Sequence, residues 1–423
     1  MLDWTHFMSR LASKSSSPLL TRTLLVTATA LLCACGGGSD EPPKSADKPR
    51  ALLSHSAYAQ AQSFSGVQQT QLLRYRMPAL HGGQTETEAL LFVPRAQPAS
   101  GDVPLVVWAH GTVGVADACA PSRNADAHNE KQEIQALLDA GFAVLAPDYE
   151  GLGGPGAHPY LHVGSLGQSI TAAVEAVHQL PGLRLSKSWA LMGHSQGGYA
   201  ALAGAEMAAR MDAAFPLRAT VALAPASDPA RMAVELFQRI DDLERAMAAQ
   251  PSPELAEVLA GTVFQLAANG TVLSLGLLAQ DPSLTLEQLV EASFLPIAKL
   301  AADDSDCQRF EPALDQDMMR HLSSGQALST YPSLKRSAFL SEALRQTLSK
   351  NRPAQVKLQS PVLIVQGVLD EQTPIQAARA LVAEMQRLGS SVRYVEVPDG
   401  NHGSITQSHM PEAIAFIRER LNP

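Results

Sequence analysis

A chain of 423 residues is long enough for one large domain with insertions or for two average ones. Its 46% hydrophobic and 17% charged residues are the balance of a folded globular protein, neither disordered nor embedded in a membrane. A formal net charge of −9, without a basic run or zinc-finger spacing, argues against a nucleic-acid partner, because phosphate binding needs clustered Lys and Arg.

Arg10, Lys14 and Arg22 precede the apolar run "TLLVTATALLCAC" from Thr23, which has the length of a signal-peptide core and is short for a membrane span. Its end, Leu32-Cys33-Ala34-Cys35, resembles a bacterial lipobox. Ala34 makes Cys35 the better lipid acceptor, since Leu32 precedes Cys33. Residues 1–34 are therefore expected to be a lipoprotein-type signal peptide, with Met8 an alternative start; an ordinary cleaved signal with incidental cysteines fits the same run. "GGGSDEPPKSADKPR" after Cys35 has nothing to bury, so residues 35–62 are expected to be a disordered tether. These features imply an exported protein of the bacterial cell envelope, anchored to a membrane (the outer one is expected) by a lipid at Cys35, or else secreted. Two cysteines remain. In an exported chain Cys119 and Cys307 are expected to pair as a disulfide, the alternative being two buried thiols, and their spacing fits no metal site.

Alternating segments around Gln68 to Arg76 and Glu86 to Val93 suit edge strands of a hairpin. Near-continuous apolar runs follow: "VPLVVWAHG" from Val103, "GFAVLAPDY" from Gly141, "SWALMGHS" from Ser188, "ATVALAPAS" from Ala219 and "PVLIVQG" from Pro361, with "SVRYVEVPD" from Ser391 closing the set. Such runs are the mark of parallel strands covered on both faces. Helical patterns lie between them at Glu130 to Ala140, Leu166 to Leu180, Gln196 to Met211, Pro374 to Leu388 and Ser404 to Leu421. The alternation predicts an α/β fold with a mostly parallel, doubly wound sheet. It fails between Asp228 and Pro353, where "PELAEVLAGTVFQLAANG" and "LTLEQLVEASFLPIAKL" read as helices. The expected organisation is core over residues 63–227, a helical cap over 228–353 inserted before the acid-bearing strand, and core again over 354–423. A helical subdomain with its own core is the plainer reading of the insertion.

Within "LMGHSQGG", Gly193-His194-Ser195-Gln196-Gly197 matches G-x-S-x-G between a predicted strand and a helix of small residues. This context predicts a nucleophile elbow, with Ser195 on a strained turn and the helix N-terminus favouring negative charge beside its hydroxyl. A serine hydroxyl needs a base, and the base an orienting carboxylate. Asp370 in "PVLIVQGVLDEQTP" and His402 in "VRYVEVPDGNHGS" each follow a strand and precede a helix, which places them at the same sheet edge as Ser195. Asp399 is the main competitor for the acid, followed by Glu371. Asp148 precedes the serine and reads as structural. The oxyanion is assigned to the backbone N–H of Gln196 and, from "VVWAHGTVG", that of Thr112. His110 and His194 read as hydrogen-bonding loop residues.

With these residues in place, the chain resembles the secretory lipase branch of the α/β-hydrolase superfamily from about Val67 onward. The resemblance rests on "WAHGTVGVADACAPS", "APDYEGLGGPGAHPYL", "GHSQGGYAAL", "LIVQGVLDEQTP" and "DGNHGS". It implies esterase or lipase activity with no metal or organic cofactor, the triad falling on Ser195, Asp370 and His402 and the oxyanion donors on Thr112 and Gln196. The expected partner is a small-molecule or lipid ester. A serine peptidase of the same fold is the first alternative, although no set of acidic groups for a substrate amine stands out, and a non-catalytic binding lipoprotein is the second.

Overall fold

The apolar runs become strands because their alternate side chains enter two different cores. In the computed structural model, which describes residues 51–58, 64–95, 101–123, 130–211 and 213–421, Leu105, Val107 and Ala109 of one strand join one apolar cluster while Val106 and Trp108 join another. The strands are β1 (Leu52–Ala57), β2 (Val67–Pro78), β3 (Gln84–Pro94), β4 (Val103–Ala109), β5 (Ala143–Pro147), β6 (Leu185–His194), β7 (Leu217–Leu223), β8 (Val362–Gly367) and β9 (Val392–Val397). They form one sheet in the order β1-β2-β3-β5-β4-β6-β7-β8-β9. The pairs β1/β2, β2/β3 and β3/β5 are antiparallel, and every pairing from β5 to β9 is parallel.

The helices of the core are α1 (Lys131–Asp139), α2 (Val163–Val177) and α3 (Gln196–Ala208), with two more near the C-terminus. Side chains of α2 and α3 join the first apolar cluster, and those of α1 and of the last helix, Ser404–Leu421, join the second. A sheet covered on both faces is what the parallel runs required.

Two expectations need correction. The tether was expected through residue 62, yet Leu52–Ala57 forms β1 and pairs with β2, Ser54 lying opposite Arg74 and His55 opposite Leu73. All but its first residue are exposed, so "LLSHSA" shows no buried alternation; backbone pairing holds it at the sheet edge. The core therefore starts before residue 63, and β2 and β3, both expected at the edge, are internal, flanked by β1 and β5. Residues 1–50, with the expected signal peptide and Cys35, lie outside the described residues.

The insertion begins at Asp228, as expected, and opens on a helix that the sequence reading did not single out. Asp228 caps α4 (Pro229–Ala249) by accepting from Arg231 N at 3.0 Å, with Pro229 at the first helical position; Ser252 caps α5 (Pro253–Gln280) in the same way through Leu255 N at 3.1 Å. Further helices follow to Lys350, and one antiparallel bridge joins Val290 to Leu334. α5 is long and apolar enough to cross a membrane, but it is mostly buried within the protein. Phe237, Val263, Leu266, Phe294 and Phe339 belong to the same apolar cluster as the sheet face, so the insertion shares its core with the rest of the fold.

Several of its polar and covalent ties go to loops at the C-terminal ends of parallel strands. Cys307 is disulfide-bonded to Cys119 in the loop after β4, and Asp304 accepts from Asp117 N at 2.9 Å in that loop. Gln280 donates to Tyr160 O at 2.8 Å after β5, and Arg239 pairs with Glu371 after β8. The insertion thus caps the edge where the sequence puts the chemistry. The disulfide spans 188 residues of sequence, so its loss releases a long closed loop in the unfolded chain. Reduction is expected to lower stability by about 2–5 kcal/mol. Thermal melts with and without reductant check this, and a Cys119→Ser/Cys307→Ser chain should melt at one temperature in both.

Candidate active site

Ser195 sits between the last residue of β6 and the first of α3 with φ 58° and ψ −118°. This is a left-handed φ that a non-glycine residue adopts at a cost of roughly 1–3 kcal/mol. Three backbone hydrogen bonds hold it there: its N–H donates to Leu223 O at 3.0 Å, and its C=O accepts from Tyr199 N at 3.0 Å and Ala226 N at 3.2 Å. Close approach of helix to sheet is the other requirement. A Cβ on Gly197 would lie 1.9 Å from Ala109 O, so only glycine fits. The serine is therefore presented by an elbow that its neighbours over-determine.

Asp370 and His402 meet at the same edge. His402 Nδ1 lies 2.8 Å from Asp370 Oδ2, with both residues buried. A carboxylate facing Nδ1 assigns the proton to that nitrogen and leaves Nε2 as the basic lone pair. Asp370 Oδ1 accepts from Gln372 N at 2.9 Å and Thr373 N at 2.8 Å, and Oδ2 accepts from Thr373 Oγ1 at 2.7 Å and Gln366 Nε2 at 2.9 Å. Burial pushes this carboxyl up, but the hydrogen bond and charge of His402 and the Thr373 donors outweigh it and hold the group below its ordinary range. The aspartate is thus built to stay ionised beside an imidazole.

The two halves join through His194. Its Nε2 lies 2.8 Å from the backbone oxygen of His402 and its ring centroid 4.5 Å from that of His402. Burial, then the neighbouring His402, lowers its pKa to about 3, so the ring is neutral and Nε2–H donates to the carbonyl. His402 is thereby pinned to the residue preceding the serine. Ser195 Oγ has no hydrogen bond among the described residues; such contacts are commonly long without substrate and tighten when it binds.

The loop after β4 approaches from the other side. A Cβ on Gly111 would fall 4.0 Å from Ser195 Cβ, so residue 112 follows directly on a contact with the elbow. Glu130 fixes this loop, accepting from Gly111 N at 2.6 Å and Trp108 Nε1 at 2.7 Å. His110 stacks on Tyr149 at 4.0 Å, and its carbonyl accepts from the Tyr149 hydroxyl at 2.8 Å, the loop-fixing role expected of it. The N–H groups of Thr112 and Gln196 have no acceptor among the described residues. Of the competing acids, Asp399 is exposed and Glu371 is engaged by Arg239.

Asp148 is structural, as expected. It is fully buried and accepts from Ser122 N at 3.1 Å and from Ser122 Oγ. Burial raises its pKa to about 7 against the Ser122 hydrogen bonds. A raised folded-state pKa means the native state binds more protons, so stability falls as pH rises from about 4 to about 7. At about 1.4 kcal/mol per unit the loss is on the order of 4 kcal/mol. Asp148→Asn should flatten that slope in melting curves recorded across the interval.

Sequence reasoning missed Gln366, Thr373, Glu130 and the His194–His402 contact. Gln366 alone left a signal, a polar residue inside the apolar run "PVLIVQG". The fold and this corner together define an α/β hydrolase. The family model for the alpha/beta hydrolase family matches residues 106–415, and the chain belongs to that family. Among solved structures, the ligand-bound form of the rice cell wall degrading esterase LipA from Xanthomonas oryzae is 20% identical, with 88% of this chain and 97% of that chain covered at a TM-score of 0.64. Candida antarctica lipase A in its closed state is 16% identical, covering 88% and 82% at a TM-score of 0.62. At such identities the likeness shows the fold. No curated protein sequence matches the chain.

Proposed function

We propose that the protein is a serine carboxylic-ester hydrolase working through an acyl-enzyme. The observation that carries this is the buried Asp370–His402 pair, 2.8 Å apart, pinned by His194 to the elbow that presents Ser195. Ser195 Oγ attacks the ester carbonyl carbon while its proton passes to His402 Nε2, and Asp370 stabilises the imidazolium. The N–H groups of Thr112 and Gln196 receive the negative charge that develops on the carbonyl oxygen. Collapse breaks the bond to the alcohol, which leaves with the proton from His402. Water then gives a proton to His402 and attacks the acyl-serine carbonyl; collapse breaks the bond to Ser195 Oγ, which takes that proton back from His402, and the acid leaves.

The apolar cap over this edge favours a lipophilic acyl group, and the lipase named among the structural neighbours points the same way, while the esterase named there supports ester hydrolysis. Lipidation at Cys35 would keep such an enzyme at the cell envelope while it acts in water, and a Cys35→Ser chain would then be lost from the membrane fraction. The substrate test is a p-nitrophenyl ester series from acetate to palmitate beside amino-acid p-nitroanilides. Turnover of the longer esters is expected. A sharp preference for acetate would remove the lipophilic assignment, and faster anilide cleavage would replace the esterase with a peptidase.

A further inference from the structure

The stretch "GGPGAHPYL" supplies no reacting group, yet two of its side chains touch the two residues that carry the oxyanion N–H groups. His158 Nδ1 lies 2.8 Å from Glu150 O, so that nitrogen bears the proton and Nε2 accepts from Gln196 Nε2 at 3.1 Å. Burial holds its pKa down at about 4, which keeps the ring neutral in this role. Tyr160 places its hydroxyl 2.7 Å from Thr112 Oγ1.

The direction of that second hydrogen bond can be argued. Tyr160 is buried, and Thr112 is the only partner of its phenol among the described residues. A buried O–H without an acceptor costs about 1–3 kcal/mol, so the phenol donates to Thr112 Oγ1. Burial also raises its pKa to about 12, and it keeps that proton at any working pH. Thr112 is exposed, and its own hydroxyl proton is left free on the residue whose backbone N–H is assigned above to the oxyanion.

We propose that the Thr112 hydroxyl is a third donor to the oxyanion and that Tyr160 is the positioning residue that aims it; this rests on the ester-hydrolase reading above. The cap takes part in the aiming. Tyr160 O accepts from Gln280 Nε2 at 2.8 Å, and a Cβ on Gly276 would fall 2.5 Å from Tyr160 Cβ, so α5 bears directly on this residue. Seating of the cap and orientation of the third donor are therefore one adjustment.

The experiment is a set of variants assayed on one p-nitrophenyl ester, with melting temperatures as the folding check. Thr112→Val keeps the backbone N–H and removes the hydroxyl; it should lower kcat about 10- to 100-fold with KM little changed, somewhat less than the loss of a full oxyanion donor. Thr112→Ser should restore most of that loss. Tyr160→Phe should lower kcat several-fold, and should have no further effect in the Thr112→Val background, because it acts only through that hydroxyl. Wild-type kcat in Thr112→Val, or an equal loss from Tyr160→Phe in both backgrounds, would overturn the proposal. Failure of the hydrolase reading is seen separately, as full activity in a Ser195→Ala chain.

Discussion

Ser195→Ala is expected to lower kcat on a chromogenic ester by about 10⁴-fold or more while the melting temperature stays near that of the parent. The size follows from the role assigned to the hydroxyl. No acyl-enzyme forms without it, and whatever remains comes from water attacking a bound ester in the oxyanion hole. The fold should tolerate the change because the bonds that stabilise the elbow are made by the backbone of residue 195, to Leu223, Tyr199 and Ala226. Alanine accepts the same left-handed φ at much the same cost as serine. Assay of the purified variant beside its thermal melt separates lost chemistry from lost structure.

The second large effect is expected from Asp370→Asn, a fall in kcat of about 10³- to 10⁴-fold. Two backbone donors, Gln372 N and Thr373 N, require an acceptor at the position of Oδ1. The asparagine must place its carbonyl oxygen there, which turns its NH₂ toward His402 Nδ1 and Gln366 Nε2. An imidazole facing an NH₂ donor takes the opposite tautomer, with its proton on Nε2, and no longer has a lone pair for the serine proton. Asp399→Asn serves as the control: Asp399 is exposed, and near-parental activity is expected. The pattern reversed, with Asp399 essential and Asp370 dispensable, would reassign the acid.

The parts of this architecture that were legible in the sequence share one property: their signal is local. Strands β4 to β8 announce themselves as apolar runs since both faces of each are buried, and the elbow is readable because Gly197 lies where no Cβ fits. Asp370 and His402 could be placed from the strand-to-helix junctions alone, as the parallel sheet sends all such junctions to one edge. Of the insertion's helices, the one over Pro253–Gln280 was legible as an apolar helical run, whereas the first, Pro229–Ala249, was not singled out. Strand β1 was not legible, because its exposed, mixed residues take strand conformation only by pairing with β2. The contacts of Tyr160 with Thr112, of Glu130 with Gly111 and of His194 with His402 join residues 48, 19 and 208 positions apart. No spacing rule reaches across such separations; they exist once the loops have been folded over the sheet edge.

The central claim is that Ser195 is a nucleophile activated by His402. Its most direct test is reaction with an alkyl p-nitrophenyl phosphonate followed by mass mapping of the adduct. One phosphonyl group on the peptide bearing Ser195, formed in step with the loss of ester hydrolysis, and slow or absent labelling in His402→Ala, are the results expected. An inhibited protein carrying the label on another residue, or one still hydrolysing esters with Ser195 fully phosphonylated, would contradict it.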